Sequence, residues 1–202
     1  PAAQVPLAPF KPSLQRNLQF GVGIGLLLAL AVAWLIEFID DSLRIPDDVE
    51  RETGVAVLGA VPRLKGKEAT KLTQVALSPH EDPSSAVAES YRSVRTSLQF
   101  STPQGAPRRL AVTSTSQGEG KSTTAVSLAI NFAQMGKPVL LIDADLRAPS
   151  LHKILGVENA RGLSNYLAGE VKPLELVHRT AVPNLFVMTT GPLPPNPVEL
   201  LS

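Results

Sequence analysis

The chain has 202 residues, of which 44% are hydrophobic, 18% charged and 4% aromatic, with a formal net charge of +1. That length holds one domain, or a domain plus a membrane segment, and so small a charge without a basic stripe of interleaved aromatics excludes nucleic acid as an expected partner. The absence of cysteine excludes disulfides, a thiolate nucleophile and cysteine-ligated metal, while the scattered His80, His152 and His178 give no imidazole centre.

In chain order, Pro6, Pro9 and Pro12 recur every third residue and favour an extended polyproline lead over residues 1–16. Phe20 to Ile36 then carries no charge, and as a helix it is roughly 25 Å long, near the lower limit for a bilayer span. Phe20, Trp34 and Phe38 stand near its ends as interfacial aromatics do. Glu37, Asp40 and Asp41 follow, where a secretory signal would place a small-residue cleavage site. The segment 17–38 therefore predicts one transmembrane helix in a lipid bilayer. Lys11 and Arg16 before it balance Arg44 and Arg51 after it, so charge alone leaves its orientation open.

Residues 39–83 read as a juxtamembrane segment and linker. Within it, Pro46 at a helix start and Gly54 just beyond its end predict a short helix. Arg63 to about Pro83 reads as linker, and Arg63, Lys65, Lys67 and Lys71 suit either anionic headgroups or a solvated charge run. Glu89, Arg92 and Arg95 follow at i, i+3 and i+6, sharing a broad face if the segment is helical.

The centre of the chain carries the chemistry. Arg109 to Thr113 reads as a short strand, and Ala125, Leu128, Ala129 and Phe132 recur at helical spacing until Gly136. Between them lies Ser114-Thr-Ser-Gln-Gly-Glu-Gly-Lys-Ser-Thr-Thr124. Strand, glycine loop and helix in this order form a phosphate cradle: backbone N–H groups from Gly118, Glu119, Gly120, Lys121, Ser122 and Thr123 face the phosphates. The Lys121 ammonium reaches the β/γ oxygens and the Ser122 hydroxyl reaches Mg²⁺. The usual G-x-x-x-x-G-K-[ST] pattern has glycine where Thr115 stands, so the loop is a variant. The apolar run Pro138 to Ile142 suits a strand buried in a parallel sheet, and it ends in Asp143-Ala-Asp145-Leu-Arg147. A right-handed crossover brings this end close to the loop. Carboxylates at i and i+2 on a strand share a face, so Asp143 and Asp145 are both candidate metal partners, or else helix caps. Ser164 to Gly169 predicts a short helix, Asn184 to Gly191 another strand with its loop, and Asn196, Pro197 and Glu199 a helix start.

Gly118-Glu-Gly-Lys-Ser-Thr-Thr124 and Val139-Leu-Leu-Ile-Asp-Ala-Asp-Leu-Arg147 resemble the Walker A and Walker A′ motifs of the bacterial tyrosine kinases. Those autokinases regulate capsular and exopolysaccharide export, and their membrane part belongs to the chain-length-determinant family. Glu89-Ser-Tyr-Arg-Ser-Val-Arg95 is similar to the family's E-x-x-R-x-x-R subunit-contact motif, Pro194-Pro-Asn-Pro-Val-Glu-Leu-Leu201 to its P-P-N-P-x-E-L-L element, and Gly54 to Pro62 to the segment after its last membrane helix. The resemblance implies an α/β P-loop NTPase fold, incomplete here, whose parallel sheet is flanked by helices over residues 84–202 and preceded by one transmembrane helix. It implies ATP and Mg²⁺, with Lys121, Asp143 and Asp145 catalytic and Ser122, Asp145 and Asp143 around the metal. Asp145 is the expected water-mediated metal partner and Asp143 the residue orienting or deprotonating the acceptor hydroxyl, although the two roles are exchangeable. It further implies homo-oligomers through Glu89, Arg92 and Arg95, contact with the polysaccharide polymerisation and export machinery, and an inner-membrane protein with its ATP site in the cytoplasm.

The family's Walker B aspartate and C-terminal tyrosine cluster are not in this sequence, whose ends at Pro1 and Ser202 look truncated, so kinase activity is expected of a longer protein. A co-polymerase whose ATP site acts only as an assembly switch is the alternative. A partition-type ATPase is a second, disfavoured because Ser116 stands where that class carries a signature lysine.

Overall fold

A computed structural model describes residues 13–39, 46–62 and 72–200. The proline repeat at Pro6, Pro9 and Pro12 and the basic residues Arg63, Lys65, Lys67 and Lys71 lie outside the described residues. The chain divides into two compact units, Pro1–Glu52 and Thr53–Ser202.

In the first unit, α1 (Leu14–Ile39) is a helix of 26 residues, about 39 Å long at 1.5 Å per residue. Its Leu14–Ile36 stretch has a mean hydropathy of 2.2 and is wholly unburied, so it is long and apolar enough to cross a membrane. The helix starts earlier than the uncharged run because Leu14 to Gln19 contains neither glycine nor proline to stop it. The short helix expected after it forms as α2 (Pro46–Thr53), ending at Gly54 with φ 67°.

The second unit is built around α5 (Lys121–Ala133), which is buried between layers, its buried Ser127 and Asn131 donating to the Ala76 and Ser127 carbonyls. Its Val126, Ile130 and Ala133 join Leu151, Ile154, Leu185 and Val187 in one core cluster. Burying Val126 and Ile130 completely contributes about 2 kcal/mol each. On another side, Leu128 packs with Val87, Tyr91, Val94 and Leu98 of α4 (Ala86–Phe100), whose N-cap Ser85 accepts from the Ala88 N–H at 3.2 Å. A helix around Glu89 to Arg95 is thus formed, with its apolar stripe turned inward.

The expected linker is partly structure. Residues Leu72–Glu81 form α3, whose Ala76 is fully buried beside α5; the Ala76 carbonyl accepts from Ser127 Oγ at 3.1 Å and the Pro79 carbonyl from Gln134 Nε2 at 2.8 Å. Pro79 disguised this helix in the sequence; its missing N–H vacates the Val75 carbonyl, and the Ser78 hydroxyl donates to that carbonyl at 2.9 Å instead.

The sheet has three strands in the order β1-β3-β2: β1 (Val139–Ile142), β2 (Val177–Arg179) and β3 (Leu185–Met188). β1 and β3 run parallel, with Val139 opposite Leu185 and Ile142 opposite Met188. The expected parallel pairing is that of β1 with β3; β2 pairs antiparallel to β3, so the sheet is mixed. The short 180–184 connection admits only a hairpin, because a parallel return needs a crossover of about a dozen residues or more. Asn184 takes φ 63° to close that turn.

No strand forms at 109–113. Leu110 is 47% exposed, as are Leu140 at 47% and Ile142 at 45% on the unpaired edge of β1, and a cavity lies between the two segments. A strand is a property of a ladder about 4.8 Å from its neighbour, and the residues from Arg109 to Thr113 have the right composition without that neighbour. Three short helices complete the unit: α6 (Leu151–Leu155), α7 (Leu163–Leu167) and α8 (Pro197–Leu200). A 3₁₀ turn at Pro173–Leu176 leads into β2.

Candidate nucleotide site

The loop expected to cradle phosphate runs directly into α5. Gly118 and Gly120 both have φ 87°, in the left-handed region where a side chain is strained, so glycine is needed at both. Gly120 is the N-cap of α5, without a side-chain cap, and its carbonyl already accepts the Thr124 N–H at 2.8 Å. The first N–H groups of α5 therefore point out of the helix end with the positive end of its dipole, as an anion site requires. Thr123 is buried beneath this turn at 8% exposure.

Thr115, the departure from the usual pattern, has a job. Glu119 accepts from its N–H at 3.0 Å and its hydroxyl at 2.8 Å, pinning the start of the loop to its apex. A backbone N–H at Ser116, and after it the Thr115 hydroxyl, hold the Glu119 carboxyl below the usual carboxylate range.

Lys121 Nζ meets Asp145 Oδ2 at 2.5 Å, a contact between residues 24 positions apart that joins the two motifs. Asp145 Oδ1 accepts the N–H groups of Arg147 at 3.2 Å and Ala148 at 2.9 Å. The hydrogen bond from Lys121 and then the Ala148 N–H lower its pKa. Asp143 is placed differently. Its carboxylate is 4% exposed; Oδ1 accepts the Asp145 N–H at 3.2 Å, and Oδ2 the N–H groups of Ser150 at 3.2 Å and Leu151 at 3.1 Å. The alternation that would have set both carboxylates on one face stops with β1 at Ile142, so the two diverge in the turn that follows. Asp143 is locked in further by its N–H to the Met188 carbonyl at 2.9 Å and its carbonyl to Thr190 Oγ1 at 3.1 Å.

Lys121, Ser122, Asp143 and Asp145 all line one cavity of about 780 Å³, bounded on its far side by Arg109 to Thr113. The volume suits a small-molecule ligand. Ser122 Oγ and the Asp145 carboxylate are hard oxygen donors of the kind Mg²⁺ takes, supplemented by substrate phosphates and water. Among the described residues no group of three or more His, Asp or Glu side chains forms a metal cage by itself.

Several residues that complete the site gave no sequence signal. Ser150 Oγ donates to Ser122 Oγ at 2.7 Å. Tyr91, in the α4 stripe, is 3% exposed and its hydroxyl lies 3.0 Å from Thr124 Oγ1, so α4 braces the first turn of α5; burial pushes its pKa up. Gly162 seats α7 on the end of β3, where the N–H groups of Leu163 and Ser164 meet the carbonyls of Thr189 at 2.8 Å and Thr190 at 2.9 Å. Asn159 holds Gly191 in the loop beyond, by bonds of 2.8 and 3.1 Å.

Comparison with known proteins places this geometry in a family. Residues 110–179 match the CobQ/CobB/MinD/ParA nucleotide binding domain. The chain is 46% identical over 121 residues to the tyrosine-protein kinase YwqD of Bacillus subtilis, covering 60% of this chain and 51% of that one. It is 34% identical over 205 residues to the putative tyrosine-protein kinase EpsB of Ralstonia solanacearum, covering 98% of this chain and 27% of that one. The chain thus spans from about a quarter to about half of the length of these relatives. Among solved structures, the BceF tyrosine kinase domain superposes with a TM-score of 0.66 at 34% identity, over 78% of this chain and 66% of that one. With a P-loop opening α5, its lysine paired to the aspartate after β1 and these relatives on both sequence and structure, the chain belongs to the bacterial tyrosine kinases.

Proposed function

We propose that the protein is a membrane-anchored, ATP-dependent tyrosine autokinase that regulates the export of an exopolysaccharide or capsular polysaccharide. The observation that carries this reading is the pairing of Lys121 with Asp145 at the mouth of a left-handed glycine loop, beside the Ser122 hydroxyl. α1 serves as the bilayer span, and because ATP is cytoplasmic the second unit belongs on the cytoplasmic side of the inner membrane. Glu89, Arg92 and Arg95 form the contact between subunits that presents one subunit's tyrosines to its neighbour. The polysaccharide polymerisation and export machinery is the partner.

The residues divide the work. Backbone N–H groups from Gly118 to Thr123 bind the phosphates, and Lys121 leaves Asp145 to neutralise charge growing on the β/γ oxygens, the electrostatic term that dominates phosphoryl transfer. Ser122 directly and Asp145 through water would hold Mg²⁺, which when bound would supply positive charge to screen the phosphates. Asp143, fixed by three backbone N–H groups, sets the position of Asp145 and of the turn after β1; it is also the carboxylate available to orient or take the proton of an acceptor hydroxyl once that turn moves.

The test is Lys121→Met in the full-length protein. Phosphotyrosine is expected to vanish from immunoblots, and ATP affinity to fall by about tenfold or more, since a charge-assisted contact worth roughly 1.5–3 kcal/mol is lost. Undiminished phosphotyrosine in that variant rejects the reading.

A further inference from the structure

We infer that Ser150 is a positioning residue for the metal-binding hydroxyl of Ser122, an assignment that rests on the nucleotide reading above. Ser150 stands at the N-cap of α6, where a serine hydroxyl ordinarily accepts a backbone N–H of its own helix. Here it makes no such bond. The capping is done instead by Asp143, whose Oδ2 accepts both the Ser150 and the Leu151 N–H. The Ser150 hydroxyl is thereby released from its local duty and reaches across 28 positions to Ser122 Oγ at 2.7 Å. Asp143 fixes the Ser150 backbone, so the hydroxyl is delivered to the loop by the same carboxylate that fixes Asp145.

The chemistry of a hydroxyl explains what this contact is for. A serine oxygen has one proton and two lone pairs, and coordinating a cation uses a lone pair and leaves the proton needing an acceptor. In the structure Ser150 donates and Ser122 accepts, which occupies a lone pair. Rotation of both hydroxyl protons reverses the bond without heavy-atom movement: Ser122 then donates to Ser150, and both lone pairs of its oxygen are left free to face a cation. Ser150 holds the rotamer of Ser122 in both states.

The test follows binding of a fluorescent ADP analogue to the intact protein in detergent, titrated with Mg²⁺ and repeated in EDTA. Ser150→Ala is expected to raise the Mg²⁺ concentration for half-maximal enhancement of binding threefold to tenfold while changing the affinity in EDTA less than twofold. Ser150→Thr, which keeps the hydroxyl, is expected to restore the wild-type Mg²⁺ titration. An unchanged titration in Ser150→Ala overturns the assignment, and so does an equal loss with and without Mg²⁺, which would reflect packing. A wild-type protein that binds no analogue overturns the nucleotide reading itself, and this assignment with it.

Discussion

The Lys121 to Asp145 contact makes one carboxylate answerable for both stability and chemistry. Ionised Asp145 is stabilised in the fold by Lys121 and by two backbone N–H groups, so its pKa lies below the unfolded value of about 3.9. A lowered pKa means that the stabilisation is fully present above the unfolded pKa and is lost as pH falls through the folded one. Without nucleotide, Asp145→Asn is therefore expected to melt below the wild type at neutral pH, with the gap closing as pH falls below the unfolded carboxylate value of about 3.9. Melting curves across that range check it; a gap independent of pH would mean that the charge on Asp145 does no structural work. At this scale the sequence was informative about identity and silent about direction. The approach of Lys121 to Asp145 was legible because a right-handed crossover returns the end of β1 to the loop that opens α5. Asp143 and Asp145 looked equivalent until the end of β1 separated them. Ser150 and Thr124 carried no signal, since a serine at a helix start and a threonine inside a helix are ordinary.

Elements formed where their residues made a pattern that needs no distant partner. Pro46 and Gly54 bracket α2, Glu89, Arg92 and Arg95 fall at helical spacing in α4, and the apolar positions of α5 recur at helical spacing, so these helices could be placed from local chemistry. α3 was hidden by Pro79, and the 109–113 segment looked like a strand but has no ladder. The seat of α7 depends on one atom that is not there. A Cβ at Gly162 would stand 2.1 Å from the Thr189 oxygen and 2.4 Å from the Gly191 nitrogen, both backbone atoms that cannot swing aside. Since Gly162 has φ −172°, an extended angle open to any residue, its requirement is purely steric. Gly162→Ala is expected to cost about 1–3 kcal/mol through overpacking. Urea unfolding of the second unit should show it as a lower midpoint, and an unmoved midpoint would show that α7 can lift off β3 without loss.

For the whole molecule, the second unit presents the polar side of α4 outward while its apolar stripe packs on α5. Glu89 and Arg92 pair along that helix, and Arg92 also donates to the Pro83 carbonyl at 3.0 Å. An exposed pair of this kind is worth only a few tenths of a kcal/mol to the fold itself, which leaves these charges free to serve a neighbour. The Nε of Arg95 is buried without a hydrogen-bond partner. Reversing Arg92 and Arg95 together to glutamate is expected to lower the oligomer mass of the detergent-solubilised protein measured by light scattering. An unaltered mass would assign the motif to α4 alone.

The amino-acid sequence by itself determined the phosphate loop, the apolar span and the family, because each depends on short-range rules: glycine where φ is positive, a hydroxyl and an ammonium at fixed distance from phosphate, an unbroken run of apolar side chains long enough for a bilayer. Only the tertiary structure decided that β2 runs antiparallel, that residues 72–81 belong to the core, and that Asp143 faces backbone while Asp145 faces Lys121. Those outcomes turn on contacts across many positions of chain, such as Ser127 to Ala76 and Ser150 to Ser122, whose energies exist only once the layers have closed.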